Sequence, residues 1–251
     1  MRILIVSDIH ANLDALEACL EAAPEYDLVY NLGDIVGYGA NPNEVAEHSR
    51  ALGSVFVRGN HDKACSGASN LDSFNPIAGL AAIWTQQELT GENLEFLRNL
   101  PQGPLFPREQ LQLVHGSPRD EDQYLLFSTE AEPLLAETSV PLTFFGHTHV
   151  QRCFLMDQGD RTGKSLLPNY KSSRGKQSLK LQLKATTKYM INPGSIGQPR
   201  DHDPRAAFLL YDTDENAITF YRVPYDIGRA QERILSAGLP ERLATRLAEG
   251  R

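Results

Sequence analysis

An α/β fold on a parallel sheet follows from two features of this 251-residue chain. From residue 2 to about residue 58, apolar runs of strand length alternate with amphipathic stretches of helix length, a β-α-β-α-β rhythm that calls for right-handed crossovers. Five apolar runs then stop abruptly at Asp, Asn or His: Ile3 to Val6 before Asp8 and His10, Val29 to Leu32 before Gly33-Asp34, Val55 to Val57 before Gly59-Asn60-His61-Asp62, Leu111 to Val114 before His115-Gly116, and Leu142 to Phe145 before Gly146-His147-Thr148-His149. Buried strands deliver side chains in this way to a sheet's carboxyl rim, where α/β proteins bind ligands. All five runs are therefore expected at one end of one sheet.

Residues 2–7 read as the first strand. Asn12 is suited to cap a helix to about Ala23, with Leu13, Leu16, Cys19 and Leu20 on one face and Pro24 as its stop. Leu28 to Leu32 is the second strand. Asn41-Pro42 opens a helix to about Leu52, with proline near the first helical position, and Gly53 ends it before a third strand from Ser54 to Arg58. Residues 63–102 break the rhythm with helices at Asn75 to Leu89 and Asn93 to Leu100, the second capped by Thr90. This insert is read as a lid, a dimer surface or plain packing. Strands follow at 111–114, 142–145 and 150–156, around a helix from Ser128 to Glu137. Leu179 to Lys184 alternates with period two, as a strand with one wet face does. Strands at about 188–192, 206–211 and 217–223 precede helices from Asp226 to Ala237 and Pro240 to Glu249. No repeat divides the chain, so a single domain spanning 1–251 is expected.

No apolar run approaches the ~20 residues of a membrane span, and the N-terminal run is too short for a secretory leader. Cys19, Cys65 and Cys153 are odd in number and lack metal-type spacing. A reduced, cytoplasmic setting is the simplest reading. The net charge of −8 conceals eight basic residues and no acid between Arg161 and Lys188, so the remaining residues carry 16 basic against 32 acidic groups. That stretch, within about 157–188, is expected to form a basic, hairpin-like arm, either solvated or tracking an anion.

The five clusters suit a two-metal centre. Residues i and i+2 of an extended segment share a side, so Asp8 with His10, and His147 with His149, would act as two pincers, and Asp34, Asn60 and His115 add one donor each. Seven ligands serve two cations only if one is shared. A carboxylate can bridge with its two oxygens where an imidazole cannot, which assigns the bridge to Asp34. An all-N/O donor set suits Mn, Fe, Zn, Co or Ni. Two cations about 3.5–4 Å apart can hold a hydroxide and clamp a phosphoryl oxygen.

Together the motifs Asp8-x-His10, Gly33-Asp34, Gly59-Asn60-His61-Asp62, His115-Gly116 and Gly146-His147-x-His149 resemble those of the calcineurin-like metallophosphoesterase superfamily, in the right order and over essentially the whole chain. The resemblance implies an α/β fold of four layers, an α-β-β-α sandwich of two mixed sheets flanked by helices. It implies a dinuclear site with Asp8, His10, Asp34 and His149 on one metal, and Asp34, Asn60, His115 and His147 on the other. Manganese is the first expectation for both. His61 would be catalytic beside Asp34, protonating the leaving oxygen or steadying the transition state, with Asn60 also touching substrate. Asn192-Pro193-Gly194-Ser195 and Gly197-Gln198-Pro199-Arg200-Asp201 resemble a closing segment of prokaryotic members of about this length, and Arg200 is the candidate grip on a phosphate oxygen.

The chain also departs from its relatives. Ser/Thr protein phosphatases and symmetrical diadenosine tetraphosphatases carry Asp and Arg three and four positions after the bridging acid, where this chain has Gly37 and Tyr38. The expected activity is hydrolysis of a small phosphodiester or phosphomonoester by a hydroxide held between the metals. The alternatives are a nuclease or cyclic-nucleotide phosphodiesterase, then a protein phosphatase or dinucleoside polyphosphate hydrolase, then a scaffold such as one retromer subunit of this fold. Nucleic acid is a disfavoured partner, no membrane is expected, and a homo-oligomer is compatible with the sequence.

Overall fold

The computed structural model describes residues 1–53, 55–171 and 174–251. Ser54, the expected start of the third strand, and Ser172 and Ser173 of the basic stretch lie outside the described residues.

Two six-stranded mixed sheets stack face to face between helices. The first holds β1 (Arg2–Val6), β2 (Leu28–Asn31) and β3 (Val55–Phe56), which are parallel, followed by antiparallel β11 (Ala206–Asp212), β12 (Ala217–Val223) and β9 (Gln177–Gln182), in the order β3-β2-β1-β11-β12-β9. The second runs β4 (Leu105–Arg108), β5 (Leu111–Leu113), β6 (Leu142–Phe144), β10 (Thr187–Asn192), β7 (Arg152–Asp157) and β8 (Lys164–Leu166), and its centre, β5-β6-β10, is parallel. The five apolar runs are thus split, three in the first sheet and two in the second. The expectation of one sheet is overturned, because a strand buried on both faces reads the same whether a helix or another sheet covers it.

Alternation along β1 shows the layering. Ile3 and Ile5 face the core between the sheets with Tyr30, Leu111, Phe144, Ile191, Leu209 and Phe220. Leu4 and Val6 face the other way, against Leu13, Leu16 and Cys19 of α1 (Leu13–Ala22) and Val45 of α2 (Pro42–Ala51). On the far side, Phe145, Phe154 and Met190 pack on Leu134 and Leu135 of α6 (Ser128–Glu137). The three cysteines are free and buried.

The insert forms α4 (Pro76–Glu88), capped by Asn75, and α5 (Gly91–Arg98), capped by Thr90. The chain closes with α7 (Ile227–Ser236) and α8 (Glu241–Glu249), whose apolar faces meet α4 around Tyr38. Sequence reading missed β4, β8 and the short helix α3 (Asn60–Cys65), each too brief to show periodicity. The basic stretch is not a hairpin on itself. β8 pairs with β7 in one sheet and β9 with β12 in the other, so the chain crosses between sheets there. Among the described residues, no helix is long and apolar enough to cross a membrane.

Candidate metal centre

The carboxyl ends of β1, β2 and β3 and those of β5 and β6 lie at the same edge of the sandwich, and the loops beyond them converge. These loops are not extended. Asp8, His10, Asp34, His147 and His149 have φ of 53°, 49°, 55°, 67° and 59°, in the left-handed region that side chains other than glycine rarely adopt. The i, i+2 pincer argument therefore fails on its premise. His147 and His149 diverge, His149 joining Asp8, His10 and Asp34, and His147 joining Asp34 and His115.

Backbone bonds hold the strained turns. Asp8 and His10 donate their N–H to the carbonyls of Gly33 and Asp34 at 2.9 and 3.0 Å, which extends the β1–β2 pairing past the strand ends. Ser195 Oγ and the Gly197 N–H donate to the Asp8 carbonyl at 2.7 and 3.0 Å, and Asn192 Nδ2 donates to Gly146 O and Thr148 Oγ1. The 192–197 segment thus braces both loops. Gly33, at φ 96°, sits so close to the next loop that a Cβ there would lie 2.4 Å from Gly59 N.

Asp62 was read as part of a motif and given no role. Its buried carboxylate accepts N–H bonds from Asp34, Ile35 and Gly59 at 2.8, 2.8 and 2.9 Å, and from Val36 at 3.3 Å, tying the Asp34 loop to α3. Burial pushes its pKa up to about 7, as does Asp34, while the backbone donors pull it down. An acid at the third position of a helix was the available signal.

The histidine tautomers are fixed by carbonyls. Nδ1 of His10, His149 and His115 lies 3.1, 2.6 and 2.7 Å from the carbonyl oxygens of Val36, Gln198 and Leu32. Each must donate there, which makes Nε2 the nitrogen turned into the site. Burial holds His10 and His149 well below the usual imidazole range, so both rings are neutral. Yet their two Nε2 atoms are only 3.1 Å apart, with Asp8 Oδ1 3.3 Å from His149 Nε2 and Asp34 Oδ2 3.6 Å from His10 Nε2. A cation placed between the two rings would take both nitrogens as ligands. The spacing matches the roughly 3.0–3.4 Å that separates neighbouring ligands bound at about 2.1 Å.

In the second group, His115 Nε2 lies 3.4 Å from Asp34 Oδ2, 3.3 Å from Asn60 Oδ1 and 3.2 Å from His147 Nδ1. Burial works against charge on His115, but Asp34 outweighs it and carries the ring to about 10. Burial likewise opposes charge on Asp34, whose carboxyl is nonetheless drawn well below its ordinary range by His115 and His61. One oxygen of Asp34 serves both groups. Oδ2 faces His10 and His115, whereas Oδ1 accepts the His61 N–H at 2.8 Å. Oδ2 is thus the oxygen that faces both groups, and Oδ1 already accepts one backbone N–H.

His61, in the first turn of α3, has its ring 4.9 Å from His10, 4.3 Å from Tyr38 and 4.8 Å from Phe74 of the insert. Burial lowers it to about 4. Its Nδ1 has no hydrogen-bond partner among the described residues, and a Cβ on Gly37 would lie 2.5 Å from it. The ring borders a cavity of about 270 Å³ lined also by Asn60, Tyr38, Phe74 and Tyr124. Arg200 is half-buried, its guanidinium 5.8 Å above Tyr38 and within electrostatic reach of Asp8, His61 and His147. Arg58 pairs with Glu121 through two nitrogens, at 3.1 and 2.9 Å, and with Gln102, so it is structural. Arg246 of α8, unmarked in the sequence, also reaches Tyr38.

Comparison with known proteins agrees with this geometry. A metallophosphoesterase of Sphaerobacter thermophilus has a similar structure, with a TM-score of 0.85 and 41% identity, covering 100% of this chain and 99% of that one. A hypothetical protein of Pyrococcus horikoshii shares the fold at a TM-score of 0.77 and 22% identity, covering 100% of this chain and 98% of its own. An uncharacterised protein of Methanocaldococcus jannaschii is 36% identical over 260 residues, 99% of this chain and 98% of its own. The sequence pattern of the calcineurin-like phosphoesterase superfamily domain matches residues 1–216. A match of that length, running through every loop that converges on Asp34, makes this chain a member of the calcineurin-like phosphoesterase superfamily.

Proposed function

We propose that the protein hydrolyses a small phosphate ester with two divalent cations, one held by Asp8, His10, Asp34 and His149 and the other by Asp34, Asn60, His115 and His147. The observation that carries this reading is the pair of unprotonated Nε2 atoms of His10 and His149, 3.1 Å apart beside two carboxylates. When bound, such cations supply Lewis acidity and lower the pKa of water. The nitrogen and oxygen donor set suits Mn, Fe, Zn, Co or Ni, of which manganese is the first expectation.

The chain's own residues do the rest. Asp34 sets the spacing of the two cation sites through Oδ2, while its Oδ1 anchors the first turn of α3 and so places His61. His61 borders the cavity where a leaving group would lie and supplies the hydrogen bond to the departing oxygen. Arg200 stands beside Tyr38 to take a non-bridging phosphate oxygen.

A nuclease or cyclic-nucleotide phosphodiesterase draws less support from the basic stretch, because at least four of its eight basic side chains have local partners. Lys164 pairs with Asp157 and Asp160, Lys180 with Glu215, Lys176 donates to Ala22 O, and Lys188 donates to carbonyls at the end of α6. A symmetrical bis(5'-nucleosyl)-tetraphosphatase of Glaesserella parasuis is 31% identical over 46% of this chain and 44% of its own. That activity and protein phosphatase activity rank lower here, because Gly37 and Tyr38 replace the Asp and Arg expected of both. A scaffold role ranks last, since every donor position is filled.

The deciding experiment loads the protein with each divalent ion, measures metal per chain, and assays matched aryl monoester and diester substrates, then cyclic nucleotides, dinucleoside polyphosphates and a phosphopeptide. Bound metal with turnover on a small ester is expected. Neither metal nor hydrolysis under any ion would overturn the reading.

A further inference from the structure

We propose that Arg246 and Arg200 form a two-guanidinium seat for a phosphate dianion, so that the favoured substrates are phosphomonoesters rather than diesters. This rests on the phosphoesterase reading above and adds a substrate class to it.

Tyr38 is the platform. It adopts φ 63°, an unusual conformation for a bulky residue, and its ring is almost fully buried against His10 at 4.7 Å and His61 at 4.3 Å. Two guanidinium carbons sit over that ring, Arg200 at 5.8 Å and Arg246 at 6.0 Å, both within cation–π range. One comes from the segment after β10 and the other from the last turn of α8.

Most other partly buried arginines here are paired with an acid, Arg152 on the Leu126 carbonyl being an exception. Arg58 holds Glu121, Arg205 holds Asp203, Arg222 holds Asp201 and Arg233 holds Asp14. Among the described residues, neither Arg200 nor Arg246 is paired with an Asp or Glu side chain. Arg200 donates through Nη2 to Gln198 Oε1, and its buried Nε has no partner. Arg246 donates through Nε to an oxygen of Arg251, the last residue, and among the described residues its Nη1 and Nη2 make no hydrogen bond. Burial, and then the charge of Arg200, bring Arg246 down to about 10. Two like charges on one buried ring destabilise the protein unless an anion joins them.

The anion would arrive from the cavity. Tyr38 and Tyr124 line it and are among the groups whose charge acts on Arg246. Lys63, which lines the cavity itself, is bound by Glu121 at 2.9 Å and Asp122 at 3.1 Å. A phosphodiester offers two non-bridging oxygens and one negative charge. A monoester dianion offers a third oxygen and a second charge, and a second guanidinium beside the first has that oxygen to take.

The test uses the full, metal-loaded chain with Arg246→Gln and Arg246→Lys, on an aryl phosphate and the matching aryl methyl phosphate. Losing one charge-assisted bond should lower kcat/KM for the monoester about tenfold or more in Arg246→Gln, and for the diester by less than about threefold. Arg246→Lys should recover part of the monoester activity. Calorimetric titration gives a readout free of turnover: inorganic phosphate should bind about tenfold more weakly to Arg246→Gln, and dimethyl phosphate equally to both proteins. Equal losses on both esters, or unchanged phosphate affinity in a variant with normal melting, would overturn the seat. Should neither ester be hydrolysed under any ion, the phosphoesterase reading falls, and the phosphate titration still decides the role of Arg246.

Discussion

A single oxygen, Asp34 Oδ2, lies between His10 and His115, and the chemistry inferred for this protein turns on it. Asp34→Asn keeps the shape and removes the charge that offsets two cations. Metal per chain, read by elemental analysis, should fall with turnover, each by about 100-fold in affinity or rate. His61 offers the opposite separation. His61→Asn should leave metal content unchanged and lower turnover by about 10²–10⁴, most for esters with poor leaving groups. A variant that lost metal as well would show His61 acting through the Asp34 loop and not on the leaving oxygen. Asp62 belongs to stability as much as to chemistry. Asp62→Ala strands four buried N–H groups, and denaturant unfolding should show a loss of at least about 3 kcal/mol.

Among the elements, the loops matter more than the strands they leave. Left-handed residues at Asp8, His10, Asp34, His147 and His149 turn each donor inward, and such strain persists only where neighbours over-determine it. Gly37 is the most exposed to change. At φ 89° and against His61 Nδ1, it has no room for a methyl group. Gly37→Ala should displace the His61 ring and cut turnover while metal binding stays near normal, since no ligand atom touches that Cβ position. Short α3 repeats the lesson: it has only six residues, yet its first turn carries Asn60, His61 and Asp62 together.

Across the whole molecule, the donors come from both sheets. Asp8, His10, Asp34 and Asn60 follow strands of the first, and His115, His147 and His149 follow strands of the second. Cations bound there would tie the two halves of the sandwich together, so metal binding should stabilise the fold globally. Adding a divalent ion at about 1,000 times its dissociation constant should raise unfolding stability by roughly 4 kcal/mol, and a chelator should reverse it. In Asp34→Asn, with affinity about 100-fold weaker, the same addition should raise stability by only about 1.4 kcal/mol.

The sequence by itself determined which residues could bind metal and where the strands end. An apolar run halted by a glycine and an acid or imidazole is a local pattern, and five of them mark seven donors, from Asp8 to His149. It could not determine that these runs belong to two sheets, because burial on both faces looks alike from within a strand. Nor could local spacing show that His147 and His149 turn to different donor groups, that Asp34 Oδ2 faces both groups, or that Arg246 reaches Tyr38 from the far end of the chain. Those depend on left-handed turns, on backbone hydrogen bonds between loops and on packing between distant segments, and only the tertiary structure brings such contacts into being.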